Sequence, residues 1–473
     1  MMTLRTGLST CAALLLAGCS MAPHYVRPTA PVPPALPQGP AYAALTAGDG
    51  QVDAMGWHDF FTDPQLQAVI GTALANNRDL RVTIANVELA RTTYRQQRAA
   101  NLPAITAGGT ASAVHNGSLS SGASGTGQSG TTESFAASAG TSAFEIDLWG
   151  RKASLTRAAF ESYLASDEGR KAATIALVGE VATAWLTYAA NADALAVAQQ
   201  TLASQTRTLK VTQRREGDGI GTKLDVAQAQ TQVESARADV ADFTTALAQA
   251  KNALDLLVGQ PVGSEQLPTT LGNGDQVRAS LPVGLDSAVL LRRPDVLQAE
   301  HTLQGANANI GAARAAFFPT ISLTGLLGFA SSSLSGLFDA GQFRWNASGS
   351  LSQTLFDGGV KANALAGAKA SRDAAIASYE KAIQSAFRDV ADALARRGTI
   401  DARVDAAASL LSNAELAASL SQKRYDAGVA TYLEPLTAQR TAYSARQGLV
   451  TARLTKATNM VTLYRVLGGG LKP

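Results

Sequence analysis

The chain has 473 residues, room for two or three ordinary domains, and 46% of them are hydrophobic although only 6% are aromatic and 16% charged. Such a small-residue composition suits close helix packing and thin barrel walls better than a thick globular core. The net charge of +3, which becomes +2 on losing Arg5, implies no nucleic-acid partner.

In chain order, "MMTLRTGLSTCAALLLAGCS" has a basic start, a short apolar run and small residues before a break, the pattern of a secretory signal. Its end, Leu16-Ala17-Gly18-Cys19, resembles the bacterial lipobox. That resemblance implies removal of residues 1–18 and covalent diacylglycerol and N-acyl lipid on Cys19, with no other cofactor. Ser20 stands where an aspartate favours inner-membrane retention, so the analogy points to the outer membrane. Seven prolines between Pro23 and Pro40 predict an extended tether across 19–56, holding the body away from its lipid. Both cysteines, Cys11 and Cys19, sit in this region, leaving no disulfide or thiolate site in the body. His24, His58, His115 and His301 lack metal-ligand spacing, so no metal site is expected.

The remainder divides into two related halves, 57–258 and 284–467, around a Pro- and Gly-punctuated linker at 259–283 and before a tail at 468–473. Gly219 and Gly428, Leu224 and Leu433, and Gln230 and Gln439 stand at one common offset. In each half the pattern predicts a helix, two strands, a long helix, a tight turn and a returning helix. "FRWNASGSLSQTLF" (343–356) places Phe343, Trp345, Ala347, Gly349, Leu351 and Leu355 on one face, with Arg344, Asn346, Ser348, Ser350, Ser352 and Thr354 on the other. The segment 319–331 repeats this alternation, while 103–114 and 134–148 do so more weakly. Strands of this length can cross a membrane when tilted. Four strands cannot close a barrel, and lipid does not tolerate an open edge, so closure requires several chains.

No proline interrupts 151–213, a helix of about 95 Å, nor 360–425 in the second half. Val178, Val181, Trp185, Tyr188, Ala192, Leu195, Gln199, Leu202, Thr206 and Leu209 read as a heptad seam. Helices are also expected over 222–258 and 284–316.

Together "WHDFFTDPQLQAVIGTALANNRDLRV", "FEIDLWGR", "LLRRPDVLQAE", "ARAAFFPTISLTG", "LFDGGVKA" and the two turns resemble the outer membrane factor family of TolC-type efflux ducts. The likeness is to its lipoprotein branch, the NodT-like proteins of resistance-nodulation-division pumps. It implies a mixed fold, a membrane β-barrel plus a long α-helical coiled-coil barrel. A homotrimer would close 12 strands and 12 helices, with a periplasmic adaptor and an inner-membrane pump as partners. Carried onto this chain, the pore constriction falls on Leu433, Glu434, Thr437 and Asp225. Polar groups available to a tip gate are Arg215, Asp218, Arg424, Tyr425, Asp426 and Tyr432, beside the turn glycines Gly219 and Gly428. Thr437 departs from the family's acidic choice, so a constriction ring would rest on Glu434.

"GDGIG" (217–221) lacks the preceding strand and the lysine-serine or lysine-threonine ending of a phosphate loop. With no G-x-S-x-G and no H-E-x-x-H, a hydrolase is not expected. A lipid-anchored coiled-coil tether without a pore is the rival; a wet strand face argues against it, because a tether needs no lumen.

Overall fold

The computed structural model describes residues 21–42, 52, 55–116, 130–272, 276–278, 280, 281, 284 and 286–471. Cys19, and with it the lipidation site, lies outside the described residues. The elements in order are α1 (Trp57–Phe60), α2 (Pro64–Asn76), α3 (Arg78–Ala99), β1 (Thr106–Asn116), β2 (Gly130–Ile146), α4 (Arg151–Gly217), α5 (Lys223–Val258), α6 (Pro294–Ala315), β3 (Thr320–Ser331), β4 (Phe343–Ser352), α7 (Val360–Asp426) and α8 (Leu433–Val466). Helix, two strands, long helix, turn and helix thus occur twice. Both long helices have 67 residues.

Three expectations need correction. The 284–316 segment is not one helix: Asp286 caps a 3-10 turn over Ser287–Arg292, and Pro294, which has no N–H to lose, opens α6 separately. Strand β4 stops at Ser352 rather than 356, where Gln353 turns aside to donate to the Phe317 carbonyl at 3.1 Å. On α4 the seam residues Val178, Val181, Trp185 and Leu209 are buried as expected. Between Trp185 and Leu209, however, the buried stripe runs through Ala189, Ala194, Ala198 and Gln205, whereas Tyr188, Ala192 and Leu195 are half-buried and Gln199 is exposed. The cause is that α4 packs on two neighbours. Asn191 donates to the Ala246 carbonyl of α5, and Gln447 of α8 donates to the Ala194 carbonyl. Two partners need a broad stripe of small residues, not a narrow seam.

The chain forms two compact units, each drawing on both sequence halves. The first takes Met1–Pro28, Glu88–Ala165 and Ala299–Ser378. Its centre is an antiparallel sheet in the order β1-β2-β3-β4. Leu323 opposite Gly349, Leu327 opposite Trp345 and Phe329 opposite Phe343 make one apolar face. Thr320 opposite Ser352, Ser322 opposite Ser350 and Thr324 opposite Ser348 make the wet one. One extra residue bulges β2 between Thr141 and Phe144; Ala143 adopts φ 52° there and its N–H donates to Thr324 Oγ1 at 3.0 Å.

Aromatic rings gather at both ends of the sheet. Phe329 meets Phe338 at 5.4 Å and Phe343 at 5.8 Å beside the β3–β4 loop. At the helix end Trp149 stacks on Phe318 at 4.8 Å and donates to the Pro319 carbonyl. Strands of 12 and 10 residues, tilted by about 40°, cover roughly 25 to 30 Å, the height of an apolar band between two girdles.

The proline-rich N-terminal segment is not a free tether where it is described. It runs against α6: the Met21 carbonyl accepts from Arg314, the Pro23 carbonyl from Asn307 Nδ2 at 2.7 Å, and Ala22 passes so close to Gly311 that a Cβ there would lie 2.7 Å from the Ala22 nitrogen. Arg27 then forks onto the Glu300 carboxylate at 2.8 and 2.7 Å, joined by the Tyr25 hydroxyl. Extended backbone satisfied by side chains of a helix is a strap rather than a spacer. Charged hydrogen bonds of this kind contribute about 1.5 to 3 kcal/mol each. Glu300→Ala is therefore expected to speed chymotryptic cleavage after Tyr25 by about ten-fold or more; an unchanged cleavage rate would show that Glu300 does not hold the strap.

The second unit takes Thr29–Val87, Ser166–Gln298 and Tyr379–Pro473. Phe60 stacks on Tyr464 at 4.1 Å, and the Tyr464 hydroxyl reaches the Met55 carbonyl at 2.8 Å. The linker after α5 folds back onto α4: Trp185 donates to the Gln266 carbonyl, and Asp193 accepts from the Leu271 N–H. Gly259 starts that return with φ 78°, and any Cβ there would sit 2.6 Å from the Asn76 carbonyl oxygen, so only glycine fits.

Candidate functional site: the paired hairpin tips

Two helical hairpins, α4–α5 and α7–α8, end in the same turn. Gly219 and Gly428 take φ 77° and 75°, a left-handed conformation that costs glycine little. The Gly219 N–H donates to the Glu216 carbonyl and the Ile220 N–H to the Arg215 carbonyl. In the second turn the Gly428 N–H donates to the Tyr425 carbonyl and the Val429 N–H to the Arg424 carbonyl. The duplicated sequence thus makes a duplicated backbone.

The returning helices differ. Thr222 and Asp225 form a complete capping box on α5, with Asp225 Oδ2 accepting from both the Thr222 N–H at 3.1 Å and its hydroxyl at 2.8 Å. Thr431 and Glu434 stand at the equivalent positions, yet α8 begins after Tyr432 with no side-chain cap. The Glu434 carboxylate instead pairs with Arg424 at 3.1 Å. The acid of the second hairpin is released from capping and bound to a cation on its own chain.

Between the hairpins lies a small apolar core of Leu209, Ala229, Val233, Tyr425, Tyr432 and Leu436. Tyr432 is 2% exposed and its hydroxyl meets no partner among the described residues. Its ring lies 5.5 Å from that of Tyr425. The Arg215 guanidinium lies 4.5 Å from the Tyr425 ring centre and donates to the Tyr425 carbonyl at 3.5 Å, tying the first hairpin to the second. Leu433, Glu434 and Thr437 are exposed, and Thr437 returns its hydroxyl to the Leu433 carbonyl. Asp218 and Asp426 are exposed too, Asp426 accepting from Gln422.

Geometry thus gathers Arg215, Tyr425 and Tyr432 into one cluster and Arg424 with Glu434 into a pair. Among the described residues it leaves Asp218, Asp225 and Asp426 out of any bond between the hairpins. Sequence reasoning missed a second set of links. Gln205 donates to Gln439 Oε1 at 3.1 Å, Gln439 to Gln422 Oε1 at 2.9 Å, and the Tyr443 hydroxyl to Asp239 Oδ2 at 3.0 Å. Glutamine on the apolar side of α4 was the only available signal.

Burial, and secondarily Tyr425 and Asp225, pushes the Tyr432 phenol up to about 12. Below the unfolded value of about 10 the ring is neutral folded or unfolded. Above it the unfolded ring ionises first, so tip stability falls as pH rises from about 10 to about 12. A difference titration of phenolate absorbance, wild type against Tyr432→Phe, is expected to place this ring near pH 12; a midpoint near 10 contradicts the buried site.

A four-stranded sheet with a lipid-suited face, joined to two long helical hairpins, defines a TolC-type outer-membrane channel fold. The chain belongs to the outer membrane efflux protein family, whose model matches residues 69–260 and 285–469. It is 41% identical over 458 residues to the antibiotic efflux pump outer membrane protein ArpC of Pseudomonas putida, covering 97% of this chain and 94% of that one. It is 39% identical to the outer membrane protein OprJ of Pseudomonas aeruginosa, with the same coverage of each chain. Its backbone superposes on the open-state MtrE outer membrane channel of Neisseria gonorrhoeae with a TM-score of 0.85, at 37% identity over 96% of this chain and 99% of that one. The CusC channel gives a TM-score of 0.85 at 36% identity over 96% and 100%. The chain is accordingly an outer-membrane efflux channel protein of Gram-negative bacteria.

Proposed function

We propose that three copies assemble into a passive exit duct of a tripartite efflux system. It takes drugs and other toxic small molecules from an inner-membrane pump of the resistance-nodulation-division type through a periplasmic adaptor. The observation that carries this reading is the sheet with two open edges, β1 and β4, between apolar and wet faces. Each unpaired edge group costs several kcal/mol in lipid, so the edges must meet those of other copies, and three fourfold sheets close a 12-stranded barrel around the wet face.

In this reading the hairpins of three chains form a 12-helix tunnel whose tips shut the periplasmic end. Lipid on Cys19 secures the assembly to the membrane, since more than one acyl chain gives a lasting anchor. The strap along α6 would set where that anchor lies. The relatives named for antibiotic efflux lend the cargo class. The duct does no chemistry and needs no cofactor; the pump supplies the energy.

The test is export in a strain lacking its own outer-membrane component, with pump and adaptor present, alongside the trimer on a denaturing gel. Restored dye and drug export by an SDS-resistant trimer supports the duct. A monomer that leaves export at zero supports the pore-free tether instead.

A further inference from the structure

The strands carry few charges, and their register decides where each one points. Glu133, opposite Ala113, shares the apolar face near the loop end. Glu145 falls on the wet face but is forked by Arg151, and both the pairing and the hydrogen bonds hold it at the helix end of the sheet. Arg344 is different. It is the second residue of β4, immediately after the β3–β4 loop, at the sheet end farthest from α6 and α7 in chain connection.

Arg344 lies opposite Gly328, which lies opposite Ser138, which lies opposite Gly108. Its row across the wet face therefore holds no side chain larger than serine. The Gly328 position could not take one, because a Cβ there would come 2.2 Å from the Ala137 carbonyl oxygen. Phe343 and Trp345 on either side point to the opposite, apolar face. Among the described residues the Arg344 guanidinium forms no ion pair, and Asp339 in the adjoining loop does not reach it. A permanently charged guanidinium thus stands alone over a cleared row of the lumen-facing surface.

We propose that Arg344 lines the outer mouth of the barrel as a ring of three cations and gives the exit a preference for anions, including carboxylate-bearing cargo. The inference rests on the trimeric barrel above. Twelve strands spaced about 4.8 Å apart and tilted about 40° enclose a ring about 24 Å across between backbones. With a Debye length of about 10 Å at 0.1 M salt, three guanidinium groups reaching inward act on ions across the whole mouth; at 1 M, where it is about 3 Å, they do not. Glutamate or serine at this position changes the sign or removes the charge without asking the row for more space.

The experiment is reversal-potential measurement on the purified full-length protein in planar bilayers under a KCl gradient centred near 0.1 M. Tyr432→Ala is carried throughout as a common background, so that the tips do not limit the current. Compared with that background alone, Arg344→Ser is expected to lower the chloride-to-potassium permeability ratio by about two-fold or more, Arg344→Glu to lower it further, and both differences to vanish near 1 M. Equal ratios in all three proteins at 0.1 M overturn the proposal. So does a difference that persists at 1 M, which would mark an altered barrel shape rather than a charge. Failure of the trimeric reading is separately visible: the background protein alone would give neither an SDS-resistant trimer nor discrete current steps.

Discussion

Leu327→Arg is expected to abolish recovery of the trimer from outer membranes, while Asn346→Arg, on the neighbouring strand but the other face, is expected to leave it intact. Leu327 lies opposite Trp345 on the apolar face, and Asn346 lies opposite Leu326 on the wet one. An arginine facing lipid at mid-depth costs about 2 to 4 kcal/mol per chain, hence about 6 to 12 for three chains. That sum is comparable with the whole stability of a typical domain. On the wet face the same side chain stays in water at little cost. Because side chains alternate strictly, a register slip of one residue would exchange the two outcomes. Trimer yield on a denaturing gel without boiling reads the result, and loss with Asn346→Arg alone would mean that the faces have been assigned backwards.

Tyr432→Ala is expected to loosen the tips and raise single-channel conductance by an order of magnitude. Its ring is the more enclosed of the two aromatic rings in the small core that joins the two hairpins of one chain. Removing a buried aromatic ring costs about 3 to 5 kcal/mol, more than the neighbouring polar links Arg215–Tyr425 and Gln205–Gln439 supply at about 1 kcal/mol each. Tyr432→Phe makes the sharper comparison. The hydroxyl has no partner in the described structure, so its loss is expected to leave the conductance at the wild-type value or lower it. If Tyr432→Phe opened the channel as far as Tyr432→Ala, the hydroxyl rather than the packed ring would be the fastening.

The fold was legible because the pattern repeats and alternates. Proline-free runs announced both long helices, and Gly219 and Gly428 marked the turns to within a residue. Period-two alternation in 343–352 located both faces of β4. What the pattern did not carry is side-chain partnership. Thr222-Asp225 and Thr431-Glu434 share one spacing and stand at the same offset, yet only the first pair caps its helix. The second carboxylate is drawn to Arg424, ten residues away across the turn. A proline-rich stretch implies extended backbone but says nothing of what lies beside it, and Asn307, Gly311 and Glu300 of α6 turn that stretch into a strap. The middle of the α4 stripe, between Trp185 and Leu209, was misplaced for a related reason: heptad spacing anticipates one partner helix, and this helix has two.

The central claim, a passive duct with narrow tips, is met most directly by single-channel conductance of the purified protein in planar bilayers, wild type beside Glu434→Ala. Small, discrete steps are expected from the wild type, because the tips limit the current. In the variant the exposed Arg424 loses its 3.1 Å partner and stands as an unpaired cation at the tip, so the permeability is expected to shift toward anions. Membrane-inserted trimers that pass no discrete current in either protein, nor with Tyr432→Ala, would contradict the duct.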